Sequence, residues 1–198
     1  MTPNGMTLAT KITIFRLVMI PVFVGFGVEY GKTVNAGRPE EIWRWLAVAC
    51  FTLAALSDAL DGYIARRFNQ RSRLGTFLDP IADKALMLAA LLTLSFANWG
   101  QYLPLWYAAL VISRDLIQVS GAIAIGHIAG DIKVVPHWTG KLATVLQVVT
   151  IGWVFLAIKA PPVWVVASLA AIFTVWSAAL YIGAGLSQLP DPHHGRQS

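Results

Sequence analysis

Long apolar runs broken by short polar stretches set the pattern of the chain. Six runs, roughly 12–28, 43–65, 77–97, 103–127, 140–158 and 162–187, each approach the length a helix needs to cross a bilayer core, about 20 residues. The breaks between them, "GKTVNAGRPEE", "NQRSRLG", "NWGQYLP", "GDIKVVPHWTG" and "KAPP", carry turn and helix-breaking residues. No internal repeat or low-complexity tract interrupts the series. The pattern predicts an all-α, polytopic membrane protein with six transmembrane helices, forming a single catalytic domain over residues 1–198. The first run has the length of a signal peptide. Five more runs follow it and it lacks a clear small-residue cleavage site, so it is expected to be retained as a span.

Composition sharpens this reading. The chain is 57% hydrophobic and 13% charged, where soluble domains carry about 25% charged residues. Its mean hydropathy is +0.63. An ordinary soluble domain is therefore excluded. Trp99, Trp106, Trp138 and Trp164 suit interfacial belts. The single Cys50 rules out an internal disulfide and reads as a small packing residue. The net charge of +5 suits contact with anionic lipid or phosphate, or positive-inside bias alone; no nucleic-acid partner is expected. Six spans put both termini on one side. That side carries Lys11, Arg16, Arg66, Arg67, Arg71, Arg73, Lys133, Lys141 and Arg196. The other has Lys32, Arg38, Arg44 and Lys159, diluted by Glu29, Glu40 and Glu41. The positive-inside rule then places the termini and the "NQRSRLG" loop in the cytoplasm. A bacterial inner (cytoplasmic) membrane with the active site facing the cytoplasm is the expected location.

The chain gathers its acids in one place. "SDALDGYIARRFNQRSRLGTFLDPIADKALM", residues 57–87, holds four of the 10 Asp and Glu residues, Asp58, Asp61, Asp79 and Asp83. Asp58, Asp61, Gly62 and Ala65 share one face of a helix, and Asp79 and Asp83 share a face of the next. Two antiparallel helices joined by a short loop can aim all four carboxylates at one spot. Such carboxylates repel one another, and desolvation adds to the cost. Two divalent cations would satisfy them. Oxygen ligands without His or Cys nearby favour Mg²⁺ or Mn²⁺ over zinc. Gly62 opens a gap beside the acids, although small-residue helix packing would use it equally well. Arg66 could reach a bound phosphate; Arg67, Arg71 and Arg73 also suit lipid headgroups. Asp79 before Pro80 is also an ordinary helix start. The company of the other three acids favours the ligand reading.

These residues resemble the signature of the CDP-alcohol phosphotransferases: Asp58, Asp61, Gly62, Ala65, Arg66, Gly75, Asp79 and Asp83 match all eight fixed positions at the right spacing. Six spans and the chain's length also fit that family. The resemblance implies transfer of a substituted phosphate from a CDP-linked donor, CDP-diacylglycerol, to an alcohol with release of CMP. It implies metal ligation by Asp58, Asp61 and Asp79, with Asp83 as general base near a metal. Asp61, Gly62, Ala65, Arg66 and Gly75 would line the CDP site. "TKITIFRLVMIPVF" and "WTGKLATVLQ" are similar to the bacterial phosphatidylglycerophosphate synthase branch, although Ala9-Thr10 stands where that branch has Pro-Asn. That branch uses glycerol 3-phosphate, a small dianion, and Arg71, Arg114, Lys133 and Lys141 are the candidates to hold it. Arg114 could instead pair with adjacent Asp115. "NQRSRLGTFLDPIADKALM" followed by "VISRDLI" is also similar to cardiolipin synthases of mitochondrial type, whose acceptor is phosphatidylglycerol; an inositol phosphate is a third acceptor class. Family members often form homodimers. A membrane prenyltransferase would need more spans and two separated acidic loops. A proton-coupled transporter would not explain Gly62, Ala65 and Gly75 at fixed offsets.

Overall fold

The apolar runs fold as helices throughout the described chain. The structure, a computed structural model, describes the backbone of residues 8–68, 73–129 and 138–186 and the side chains of residues 11–57, 81–121 and 138–183. Among the described residues six helices follow in order: α1 (Leu8–Asn35), α2 (Glu41–Phe68), α3 (Arg73–Phe96), α4 (Leu105–Ala129), α5 (Trp138–Phe155) and α6 (Val163–Leu186). No strand occurs among the described residues.

Two helix ends differ from expectation. α1 continues past residue 28 and stops at Asn35. Gly37, at φ 70°, lets the chain turn back. Its N–H donates to the Val34 carbonyl and the Arg38 N–H to the Thr33 carbonyl, both at 3.0 Å. This is the glycine-closed C-terminus that satisfies the last helical carbonyls. α3 begins at Arg73, so Asp79 and Pro80 lie inside it and do not start it. Pro80 has no N–H to give the Thr76 carbonyl, a loss that spanning helices tolerate when neighbours compensate.

The chain divides into two compact units. The first comprises residues up to Tyr102 together with Val154–Ala157, and α1 packs there on both α2 and α3. α1 and α2 run antiparallel: the Tyr30 hydroxyl donates to Glu41 Oε1 at 3.3 Å, Phe26 meets Trp43 at 5.8 Å between centroids, and Phe23 meets Phe51 at 5.7 Å. α1 and α3 run parallel, and glycines bring them close. A Cβ on Gly27 would lie 2.7 Å from Thr93 Cγ2, and one on Gly31 would lie 3.0 Å from Ala97 Cβ. This is the small-xxx-small contact of membrane helices. Asn98 Nδ2 donates to Asn35 Oδ1 at 2.8 Å where the two helices end.

Trp99 is not a belt residue. It is 1% exposed and stacks among Tyr30, at 5.1 Å, and Phe155, at 5.4 Å. Phe23 and Phe51 extend the cluster onto Phe155. Trp106, Trp138 and Trp164 are exposed, as interfacial anchors would be. Cys50 is half-buried and free.

The second unit comprises Leu103–Trp153 and residues from Ile158 on. α4 packs on α6, where the Tyr181 hydroxyl donates to the Gln118 carbonyl at 3.0 Å. Thr150 and Thr174 are fully or nearly buried and return their hydroxyls to the carbonyls of Leu146 and Ala170, each at 2.8 Å. That is how a polar side chain is satisfied inside an apolar helix.

The exterior is apolar. Leu116, Ile117, Val149, Ile172, Val175 and Trp176 point outward from α4, α5 and α6, a surface that water would penalise and lipid would not. Among the described residues, two stretches, Lys11–Asn35 and Val163–Gly183, are long and apolar enough to cross a membrane by length and composition. Gly27→Ala should lower the thermal midpoint in detergent by the equivalent of about 1–3 kcal/mol of overpacking. Gly25→Ala, whose Cβ meets nothing within 4 Å, should not. Equal midpoints would contradict the α1–α3 contact.

Candidate active site

Helix direction assembles the acidic motif. α2 carries Asp58, Asp61, Gly62, Ala65 and Arg66 near its C-terminus, and α3 carries Gly75, Asp79 and Asp83 near its N-terminus. α2 runs against α1 and α3 runs with it, so both ends lie at the N-terminal end of α1. The backbone thus brings the two halves of the motif to one end of the first unit. Asp83 is exposed there. The side chains of Asp58, Asp61, Gly62, Ala65, Arg66, Gly75 and Asp79 lie outside the described residues, as do Arg71 and Lys133 altogether. Among the described residues no group of three or more metal-binding side chains occurs; three of the four aspartates fall outside that set.

Two residues of α1 join this end of the unit, and sequence reasoning gave neither a place in the site. Thr13 and Arg16 are both 0% exposed. A fully buried Arg on a helix this apolar was the signal available. It entered the sequence reading only through charge bias and a first-span similarity.

In the second unit Arg114 is 5% exposed. Its Nη1 donates to Asp115 Oδ1 at 3.2 Å, so the neighbour pairing does form. Its Nη2 reaches the Gly140 carbonyl at a long 3.5 Å. Its Nε is buried with no hydrogen-bond partner, and so is the Thr139 hydroxyl. Two donors buried without acceptors are costly in an apolar interior. They are what an oxyanion would use. Gly140 keeps the space clear: a Cβ there would sit 3.7 Å from Arg114 Nη2 and 3.4 Å from Ser177 Oγ. Lys141, next along α5, is exposed and heads an open groove lined by Thr144, Val145, Val148 and Val149.

Comparison with known proteins identifies the family to which the chain belongs. The family described as "CDP-alcohol phosphatidyltransferase" matches residues 6–180. Among curated relatives, the "CDP-diacylglycerol--glycerol-3-phosphate 3-phosphatidyltransferase" of Escherichia coli (strain K12) is 34% identical over 191 residues, covering 92% of this chain and 96% of the relative. The proteins of the same description from Escherichia coli O157:H7 and Shigella sonnei (strain Ss046) match to the same extent.

The Gly140 geometry has a direct test. Gly140→Ala makes only ordinary contacts and should leave thermal stability in detergent near that of the parent. Gly140→Leu must displace Ser177 or the Arg114 guanidinium and should cost about 1–3 kcal/mol. If the leucine variant melts with the parent, the close approach of α5 to Arg114 and Ser177 is wrong.

Proposed function

We propose, since the chain belongs to the CDP-alcohol phosphatidyltransferase family, that it moves the phosphatidyl group of CDP-diacylglycerol onto glycerol 3-phosphate, giving phosphatidylglycerophosphate and CMP. The observation that carries the acceptor is the 34% identity, over 92% of this chain, to relatives named for that reaction. The chain is accordingly an enzyme of phospholipid biosynthesis. The apolar exterior and the two bilayer-length stretches support a membrane protein. We take all six helices as spans of one catalytic domain over residues 1–198, in a bacterial inner membrane with the motif end facing the cytoplasm. A second copy as partner follows from family resemblance alone.

Divalent ions suit the donor set. Four aspartates with no imidazole or thiol in the motif form a hard-oxygen set, matching Mg²⁺ or Mn²⁺. Asp58, Asp61 and Asp79, with Asp83, would hold two such ions. When bound, the ions neutralise the diphosphate and stabilise the departing CMP. The protein's own residues do the rest. Arg66 would hold a phosphate oxygen by a charge-assisted hydrogen bond, and Asp61, Gly62, Ala65 and Gly75 would let the cytidine lie against the α2 and α3 backbones. Arg114, with Thr139 and the cations Arg71, Lys133 and Lys141, would take the acceptor's phosphate. Asp83 accepts the proton of the attacking hydroxyl. The oxygen–phosphorus bond forms at the phosphatidyl phosphorus as the bond to the CMP oxygen breaks. Such displacement depends chiefly on positioning and charge neutralisation.

Purified protein given CDP-diacylglycerol, Mn²⁺ and glycerol 3-phosphate should release CMP and yield phosphatidylglycerophosphate, identified by lipid mass spectrometry. Cardiolipin formed from phosphatidylglycerol, with no product from glycerol 3-phosphate, would replace this acceptor with the alternative one. Asp83→Asn should cut turnover by about 10²–10⁴, the usual worth of a general base. Full turnover would remove Asp83 from that role. Arg114→Gln should raise the KM for glycerol 3-phosphate at least about tenfold, the loss expected for a hydrogen bond to a charged group, while the KM for CDP-diacylglycerol stays within about twofold. An unchanged acceptor KM would take Arg114 out of the acceptor site.

A further inference from the structure

The surroundings of Arg114 include a residue from a third helix that neither the sequence motifs nor the pairing with Asp115 brought out. α5 begins at Trp138, so Gly140 stands in its first turn. Two side chains from other helices meet at this glycine. A Cβ on it would lie 3.4 Å from Ser177 Oγ, on α6, and 3.7 Å from Arg114 Nη2, on α4. Ser177 is 4% exposed and Arg114 5%, and Thr139, next to the glycine, is 2% exposed. All four residues belong to the second compact unit. A hydroxyl and a guanidinium therefore flank bare backbone inside an apolar protein.

The hydrogen bonds around Gly140 show which donors remain. Asp115 takes Arg114 Nη1. The Gly140 carbonyl already accepts the Thr144 hydroxyl at 3.1 Å, and the bond it receives from Arg114 Nη2, at 3.5 Å, is weak. Arg114 Nε and the Thr139 hydroxyl are buried without a partner. Buried donors of this kind call for an acceptor from outside the chain. The first turn of α5 favours a negative one, since the helix dipole is positive there.

We propose that Ser177 binds the acceptor's phosphate: its hydroxyl donates from α6 to an oxygen of a phosphate monoester that rests against Gly140, while Arg114 and Thr139 hold the other oxygens. This deepens the acceptor reading given under Proposed function and rests on it. It also states what the niche selects. A monoester presents three terminal oxygens, one for each helix. A diester such as phosphatidylglycerol presents two, and its second ester arm needs the room beside the backbone of α5. Gly140 is then a specificity determinant. A methyl there makes only ordinary contacts with Ser177 and Arg114, so the fold tolerates it, but it holds the anion away from the backbone.

The test is the steady-state rate of CMP release by the full chain in detergent, with glycerol 3-phosphate varied and inorganic phosphate as competitor. Ser177→Ala should raise the KM for glycerol 3-phosphate and the inhibition constant of phosphate together, each about tenfold, the usual loss of a hydrogen bond to a charged group. Gly140→Ala should raise both as well. Neither variant should move the KM for CDP-diacylglycerol or the thermal midpoint. Ser168→Ala, on the same helix but exposed, with its hydroxyl on the Trp164 carbonyl, should change nothing. An acceptor KM at the parent value in either variant overturns the proposal, and if one variant fails to fold the other decides. A raised acceptor KM with an unmoved phosphate inhibition constant places Ser177 at the glycerol end and also overturns it. In both cases the proposed function stands, provided that the wild type turns over glycerol 3-phosphate. A wild type that does not would remove that acceptor from the proposed function, and this inference with it.

Discussion

The repulsion that four aspartates on the adjoining ends of α2 and α3 would exert if brought together is the constraint behind the proposed reading of the first unit. Within a membrane such charges are unfavourable by several kcal/mol each unless cations or water offset them. A diphosphate substrate poses the same problem from the other side, because it too is anionic. On the proposed reading, divalent ions between them would offset both costs at once. The helices supply what the ions need. α2 ends and α3 begins at the same end of the unit, so helix direction carries the positions of all four acids to that end.

Packing serves that arrangement. Gly27 and Gly31 let α3 lie close to α1, and the aromatic cluster of Phe23, Tyr30, Phe51, Trp99 and Phe155 fills the opposite end. The polar groups of the second unit follow a different logic. Thr150 and Thr174 are satisfied within their own helices, whereas Arg114 and Thr139 keep buried donors in reserve. Buried donors without an acceptor suit a ligand that brings one.

Much of this was legible in the chain. Among the described residues the six apolar runs became six helices because each is long, mostly apolar and separated from the next by a stretch that carries Gly, Pro or Asn. The acidic motif was legible because its chemistry requires fixed helical offsets. Other features were obscured by signals with two physical meanings. Asp79-Pro80 looks like a helix start, yet α3 begins at Arg73; a membrane helix tolerates a missing N–H that an aqueous one would treat as an end. Trp99 looks like a belt residue by its position near a run's end, but it turns inward onto Tyr30 and Phe155. The Gly27–Gly31 pair carried a readable packing signal that only the contact with Thr93 and Ala97 made meaningful. Arg114 kept both of its sequence readings, since it pairs with Asp115 and still has a donor to give.

Metal dependence bears most directly on the central idea. CMP release by purified protein from CDP-diacylglycerol and glycerol 3-phosphate would be followed before and after exhaustive chelation, then on returning Mn²⁺. Chelation should abolish release, and the returned ion should restore it. A rate that survives chelation unchanged would mean that the carboxylates gather at that end of α2 and α3 for some other reason.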